Sequence, residues 1–249
     1  MTEPVPGAAM LDELAALGPF FTVQGHDPAS ALLAPWHSMA ELTGTRTVLS
    51  ERVESVRSYL AAGSGRQPEQ LELRVAASVT QLGLAARLLS PALAMAVLHG
   101  VVLPWRLDGL RWQPVPGGMF PLSVPLGQAC TGGGSMESLA DRLSEELLHG
   151  SLQDIELATR GMSVSSQVLR GNVASAINGA VGALTSARPD CAPRARLLAS
   201  LLLERPPLLG TAIHDGAGRV FRRRSCCLIY RAGPGGAGAV CGDCVLERR

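Results

Sequence analysis

Lysine is missing altogether: all 22 basic residues of this 249-residue chain are arginine. A GC-rich coding bias accounts for that, so an arginine here says less about anion recognition than it would elsewhere. Aromatic residues are scarce at 4%, whereas 47% of the chain is apolar, mostly Ala and Leu. This excludes an aromatic-rich β-sandwich and a disordered chain, and it suits a mainly α fold. Charge imbalance is also missing, and a net charge of +1 asks for neither nucleic acid nor an anionic membrane as a partner. The N-terminal stretch MTEPVPGAAMLDELAALG has no basic segment ahead of an apolar core, so no secretory signal is expected there. The most apolar run, LLSPALAMAVLHGVVLPW, is broken by Ser90, Pro91, His99, Gly100 and Pro104. A spanning helix needs about 20 mostly apolar residues, so the run predicts a buried helix and no transmembrane segment. A cytoplasmic protein is expected. In such a reducing compartment, gathered thiols point to a metal or redox site before disulfides.

What is present is helical periodicity. QPEQLELRVAASVTQLGLAARLL, from Gln67, predicts a helix that tolerates Pro68 in its first turn and stops at Pro91. Ser135 is a candidate N-cap, with Leu139, Leu143 and Leu147 four apart behind it and Gly150 as the expected C-cap. Leu169, Val173, Ile177 and Val181 form a second stripe, with Gly171, Ala174 and Gly182 as small residues for close packing. A further helix runs from Pro193 to Pro206. Between residues 101 and 134, prolines and glycines interrupt the pattern, which predicts an irregular or short-stranded insert. Alternation around RVF and CLIY, with a turn at Asp215-Gly216, predicts short strands near the end. The expected architecture is a mainly α, bundle-like domain over residues 1–220, followed by a small metal-binding segment over residues 221–249.

Four of the six cysteines lie in that last segment: Cys226 and Cys227 adjacent, then Cys241 and Cys244 after thirteen residues (Leu228 to Val240). Three chemistries are open to them. Zinc favours two C-x-x-C knuckles, and only the second pair has that spacing. Disulfides are disfavoured by the compartment and by the vicinal pair. A [2Fe–2S] cluster on four thiolates is the third choice, and adjacent cysteines, which point apart, suit its larger size.

The stretch FRRRSCCLIYR…CGDCVL closely resembles the C-terminal signature of FhuF-type ferric siderophore reductases. RVAASVTQLGLAARLLSPALAMAVLHG and VLRGNVASAIN are similar to the same family, so the resemblance runs from about Trp36 to Leu246. It implies a [2Fe–2S] cluster on Cys226, Cys227, Cys241 and Cys244, and a cytoplasmic enzyme that passes one electron to the iron(III) of a ferric siderophore. One departure is the spacer, about ten residues in the family and thirteen here, a lengthening that costs under about 1 kcal/mol in loop closure. A siderophore-binding or metal-sensing accessory protein with a structural cluster or zinc site is the alternative. An external ferredoxin or flavoprotein is the expected electron donor, because no credible flavin or nicotinamide site is present.

Other features weigh less. Gly233-x-Gly235-x-x-Gly238 fits a dinucleotide fingerprint but lies between cysteine pairs rather than between a strand and a helix. Arg222, Arg223 and Arg224 are either a solvated basic strand, cations that tune the cluster, or a docking patch. A cation ~8 Å away at an effective dielectric of ~20 would favour an added electron by roughly 2 kcal/mol. Tyr230 is close to the cysteines in sequence and reads, with Trp36, Trp105 and Trp112, as core or rim. Cys130 and Cys191 read as idle thiols. His26, His37, His99, His149 and His214 are scattered and form no ligand pair.

Overall fold

The computed structural model describes residues 7–116, 119–127, 134–215, 220–233, 238 and 240–246, leaving aside the side chain of residue 46. It is a mainly α protein, as its composition predicts. In chain order the elements are α1 (Ala8–Ala16), β1 (Gln24–His26), β2 (His37–Ser38), α2 (Glu41–Gly44), α3 (Arg46–Gly63) and α4 (Leu73–His99). Then follow β3 (Arg111–Trp112), β4 (Leu122–Pro125), α5 (Met136–Leu143), α6 (Leu152–Arg160), α7 (Ser166–Ala187), α8 (Ala192–Leu203), β5 (Ala212–His214) and β6 (Phe221–Arg223).

Helix α4 is the spine, packing along α7 on one side and α3 on another. It is long and apolar enough to cross a membrane, yet 72% of its most apolar window is buried inside the protein. Its start and its course both differ from the sequence reading. Pro68 opens a separate short 3-10 turn, Pro68–Gln70, and α4 begins at Leu73. Pro91 does not stop the helix. Its nitrogen cannot donate to the carbonyl one turn back, but the helix is buried along most of Val75 to Val97 and ends only at Gly100, which takes the left-handed conformation (φ 65°). Tertiary burial outweighs the local cost.

The leucine stripes behave as expected: Leu139, Leu143 and Leu147 are buried, and so are Leu169, Val173, Ile177 and Val181. Ser135 caps α5, its Oγ accepting from the Ser138 amide at 3.3 Å. Gly150 is no C-cap. It kinks a π-helical stretch (Ser144–Ser151) that runs on into α6. Gly182 is exposed with open space around it, so it contributes nothing to close packing.

The Pro/Gly-rich insert supplies two strands of a four-stranded sheet, ordered β1-β4-β3-β2. β1 and β2, which no alternation announces, come from the N-terminal region. Trp105 and Trp112 are fully buried there. The sheet is fastened to α4 by Arg87, whose Nε and Nη1 donate to the Phe120 and Phe20 carbonyls at 2.9 Å and whose Nη2 donates to that of Thr22. Burial holds this guanidinium down to a pKa of about 10.

Candidate metal centre

β5 and β6 form an antiparallel hairpin, pairing Ala212 with Arg223 and His214 with Phe221. The strand expected around RVF is thus present, although Gly216 of the expected turn lies outside the described residues. The hairpin sets the first thiol pair against the N-terminal half of α7. Ser225, three residues after Arg222, is buried and donates from Oγ to the Gln167 carbonyl at 2.9 Å. Gly171 makes this approach possible, since a Cβ there would stand 2.2 Å from Ser225 Oγ. Beyond the cysteines, CLIY is not a strand. Leu228 turns left-handed (φ 70°), and Ile229–Ala232 form a 3-10 turn whose Ala232 packs against Leu71 and Val75. That apolar contact outcompetes an extended course.

Each thiol lies beneath a backbone amide two residues further on. Leu228 N donates to Cys226 Sγ and Leu246 N to Cys244 Sγ, both at 3.3 Å. The amides of Ile229 and Asp243 serve Cys227 and Cys241 in the same way. Such donors favour thiolate over thiol. Cys227 and Cys244 are buried, whereas Cys226 and Cys241 are half-buried, so one edge of the group reaches solvent. The Sγ atoms of Cys227 and Cys241 stand 3.5 Å apart, within hydrogen-bonding distance. The shared hydrogen bond brings Cys227 down to about 6, helped by the Ile229 amide and Arg223, and it pushes Cys241 up. Burial raises Cys226.

The second pair is tied to α7 through Asp243. Its carboxylate accepts from Asn178 Nδ2 at 3.0 Å and from Ser175 Oγ, while its carbonyl accepts from Arg223 N at 3.1 Å. The first pair is tied to α4, where Ser78 Oγ donates to the Cys227 carbonyl at 2.9 Å. Sequence reading missed Ser78, Asn172, Ser175, Asn178 and Asp243. The available signal was that polar residues interrupt the otherwise apolar faces of α4 and α7.

The three arginines are not one patch. Arg223 is 1% exposed, Arg222 is half-buried with Nη2 on the Val245 carbonyl at 2.6 Å, and Arg224 is exposed. A uniform solvated basic strand is therefore wrong, because β-alternation turns the middle residue inward. Tyr230 is half-buried, its hydroxyl accepting from Arg231 Nε at 3.2 Å while Arg231 also pairs with Glu72 at 2.7 Å. Cys191 is buried, with Sγ donating to the Arg188 carbonyl at 3.0 Å. Cys130 and Gly235 lie outside the described residues.

The donor set is chemically soft: four sulfurs with amide support. The Cys227–Cys241 spacing of 3.5 Å is close to the ~3.8 Å that two thiolates adopt on one tetrahedral metal with ~2.3 Å bonds. Among the described residues, no three His, Cys, Asp or Glu side chains are grouped around a single metal position. In chemistry, the set fits a thiolate-bound centre.

Fold and site together describe a mainly α protein that ends in a four-thiol segment. Residues 223–246 match the family model described as the FhuF 2Fe-2S C-terminal domain. The match agrees with the resemblance read from the sequence and assigns the segment to an iron–sulfur, siderophore-related class. No curated protein matches the chain.

Proposed function

We propose that the protein is a cytoplasmic ferric-siderophore reductase in which Cys226, Cys227, Cys241 and Cys244 hold a [2Fe–2S] cluster. The observation that carries this reading is the four-thiol segment with an amide donor at each sulfur, within the iron–sulfur family match. When bound, such a cluster supplies one electron at a time. The residues around it do the rest. Cys227 and Cys244 are buried against the helical scaffold, shielding that side from water, while Cys226 and Cys241 leave an edge open. Exposed Val240 and Leu246 flank the second pair, and exposed Arg224 follows β6, giving an apolar and cationic rim on which a bulky anionic chelate can rest.

Hydroxamate and catecholate oxygens are hard donors that hold iron(III) tightly and iron(II) far more weakly. A single electron is enough to loosen the chelate. No nucleophile and no proton-transfer residue is needed, and an external ferredoxin or flavoprotein is the proposed source of electrons. Anaerobic stopped-flow mixing of prereduced protein with ferric hydroxamate and ferric catecholate chelates tests the reading. Reoxidation should saturate with chelate and release one trapped iron(II) per electron. A rate no faster than that of an unrelated [2Fe–2S] ferredoxin of similar potential would replace it with an accessory, iron-binding role.

A further inference from the structure

Arg223 is a buried cation with no ion-pair partner among the described residues. Its Nη2 donates to Asn172 Oδ1 at 2.6 Å and to the Val168 carbonyl at 3.3 Å. Its Nε and Nη1 meet no acceptor, and no carboxylate pairs with it among the described residues. A guanidinium taken out of water needs an acceptor for each donor edge, as Arg87 has in three carbonyls, or an opposite charge nearby. Among the described residues, Nε and Nη1 of Arg223 meet neither.

The guanidinium is also aimed. Asn172, fully buried, gives its Nδ2 protons to α4, with Ser78 O and Gln81 Oε1 at 2.9 Å and Ser78 Oγ at 3.1 Å. Those acceptors fix the amide orientation, so Oδ1 must face Arg223. Gly171 leaves the space: a Cβ there would lie 3.2 Å from Arg223 Nη2. The same Ser78 holds the Cys227 carbonyl at 2.9 Å, so one network grips both the cation and the first thiol pair. Arg223 also stands three residues before Cys226, and its amide donates at 3.1 Å to the carbonyl of Asp243, which lies between Cys241 and Cys244.

We propose that Arg223 is the resident counter-cation of the thiolate-bound metal centre, acting through its buried charge, with Asn172 as the positioning residue that aims it. This rests on the reading that the four cysteines bind a metal centre. A [2Fe–2S] centre on four thiolates carries roughly minus two when oxidised, and a zinc tetrathiolate carries the same. Arg222 and Arg224 are left outside this role.

The test compares full-length wild type with Arg223→Met, Arg223→Lys and Arg224→Gln, both metal-loaded and after removal of the metal by a chelator. In loaded protein, Arg223→Met should lower the reduced fraction at fixed ambient potential at least tenfold, about 59 mV for one electron, and the shift should survive high salt. Arg223→Lys should recover part of it, and any shift in Arg224→Gln should vanish with salt. In thermal unfolding the sign should reverse. Arg223→Met should melt below wild type when loaded and above it when metal-free, because the substitution then removes an uncompensated charge. An unchanged potential, or equal destabilisation in both forms, overturns the proposal. Should the metal-free chain not fold, the potential decides. A colourless wild type that holds zinc sinks the [2Fe–2S] reading instead, while the melting comparison still decides Arg223.

Discussion

The Sγ atoms of Cys227 and Cys241 lie 3.5 Å apart although fourteen positions separate the residues. The contact joins the adjacent pair to the C-x-x-C pair, and between the two pairs Gly238 N donates to the Tyr230 carbonyl. Two sulfurs this close are ready to share one metal ion. Changing Cys226, Cys227, Cys241 or Cys244 singly to Ser should therefore remove or strongly alter the visible absorption and the paramagnetic signal of the reduced protein. Colourless wild-type protein retaining one zinc per chain would show that the centre is not iron–sulfur.

Cys191 should be dispensable. Its thiol is buried at the start of α8 and bonded to the Arg188 carbonyl, with burial raising its pKa, so it offers no ready thiolate. A Cys130→Ala, Cys191→Ala double variant is expected to keep full iron and sulfide content. Loss of both in a folded double variant would mean that the ligand set is misassigned.

Two glycines of α7 should respond oppositely to alanine. In a helix interior, Gly to Ala gains roughly 0.5–1 kcal/mol of propensity. At Gly182, which has open space, that gain should appear as a higher melting temperature. At Gly171 the added Cβ would meet Ser225 Oγ, and overpacking of this kind costs roughly 1–3 kcal/mol. Gly171→Ala should melt lower and release iron faster to a chelator. Equal gains at both sites would show that the terminal segment does not sit against α7.

The parts legible in the sequence are those written in local spacing. The leucine stripes of α5 and α7, the Ser135 cap and the four gathered thiols needed no tertiary context. β1 and β2 were illegible because strands of two or three residues carry no alternation, and β1 pairs in parallel with β4, Gln24 opposite Ser123. Pro91 misled because its local cost is small beside the burial of the helix around it. Three consecutive arginines are identical as letters, yet one rule of strand geometry separates Arg223 from its neighbours once β6 is known. The Asn172–Ser78–Gln81 network could not be read, since its members sit in two helices and meet only in the packed protein.

Asp243 should matter more than its place between two cysteines suggests. It is the one residue of C-G-D-C whose side chain leaves the loop, accepting from Ser175 and Asn178 on α7, while its carbonyl takes the Arg223 amide and its own amide serves Cys241. Removing the carboxylate leaves two half-buried donors without their acceptor, at a cost of about 1–3 kcal/mol. It also frees the second thiol pair from the scaffold while leaving all four cysteines in place. Asp243→Ala should therefore still assemble a coloured centre, but lose iron to a strong chelator several-fold faster and melt at a lower temperature. Asp243→Asn should be milder, because its Oδ1 can still accept from Asn178 and the Ser175 hydroxyl can turn from donor to acceptor. Wild-type rates of iron loss in Asp243→Ala would mean that the thiols hold the centre without help from α7.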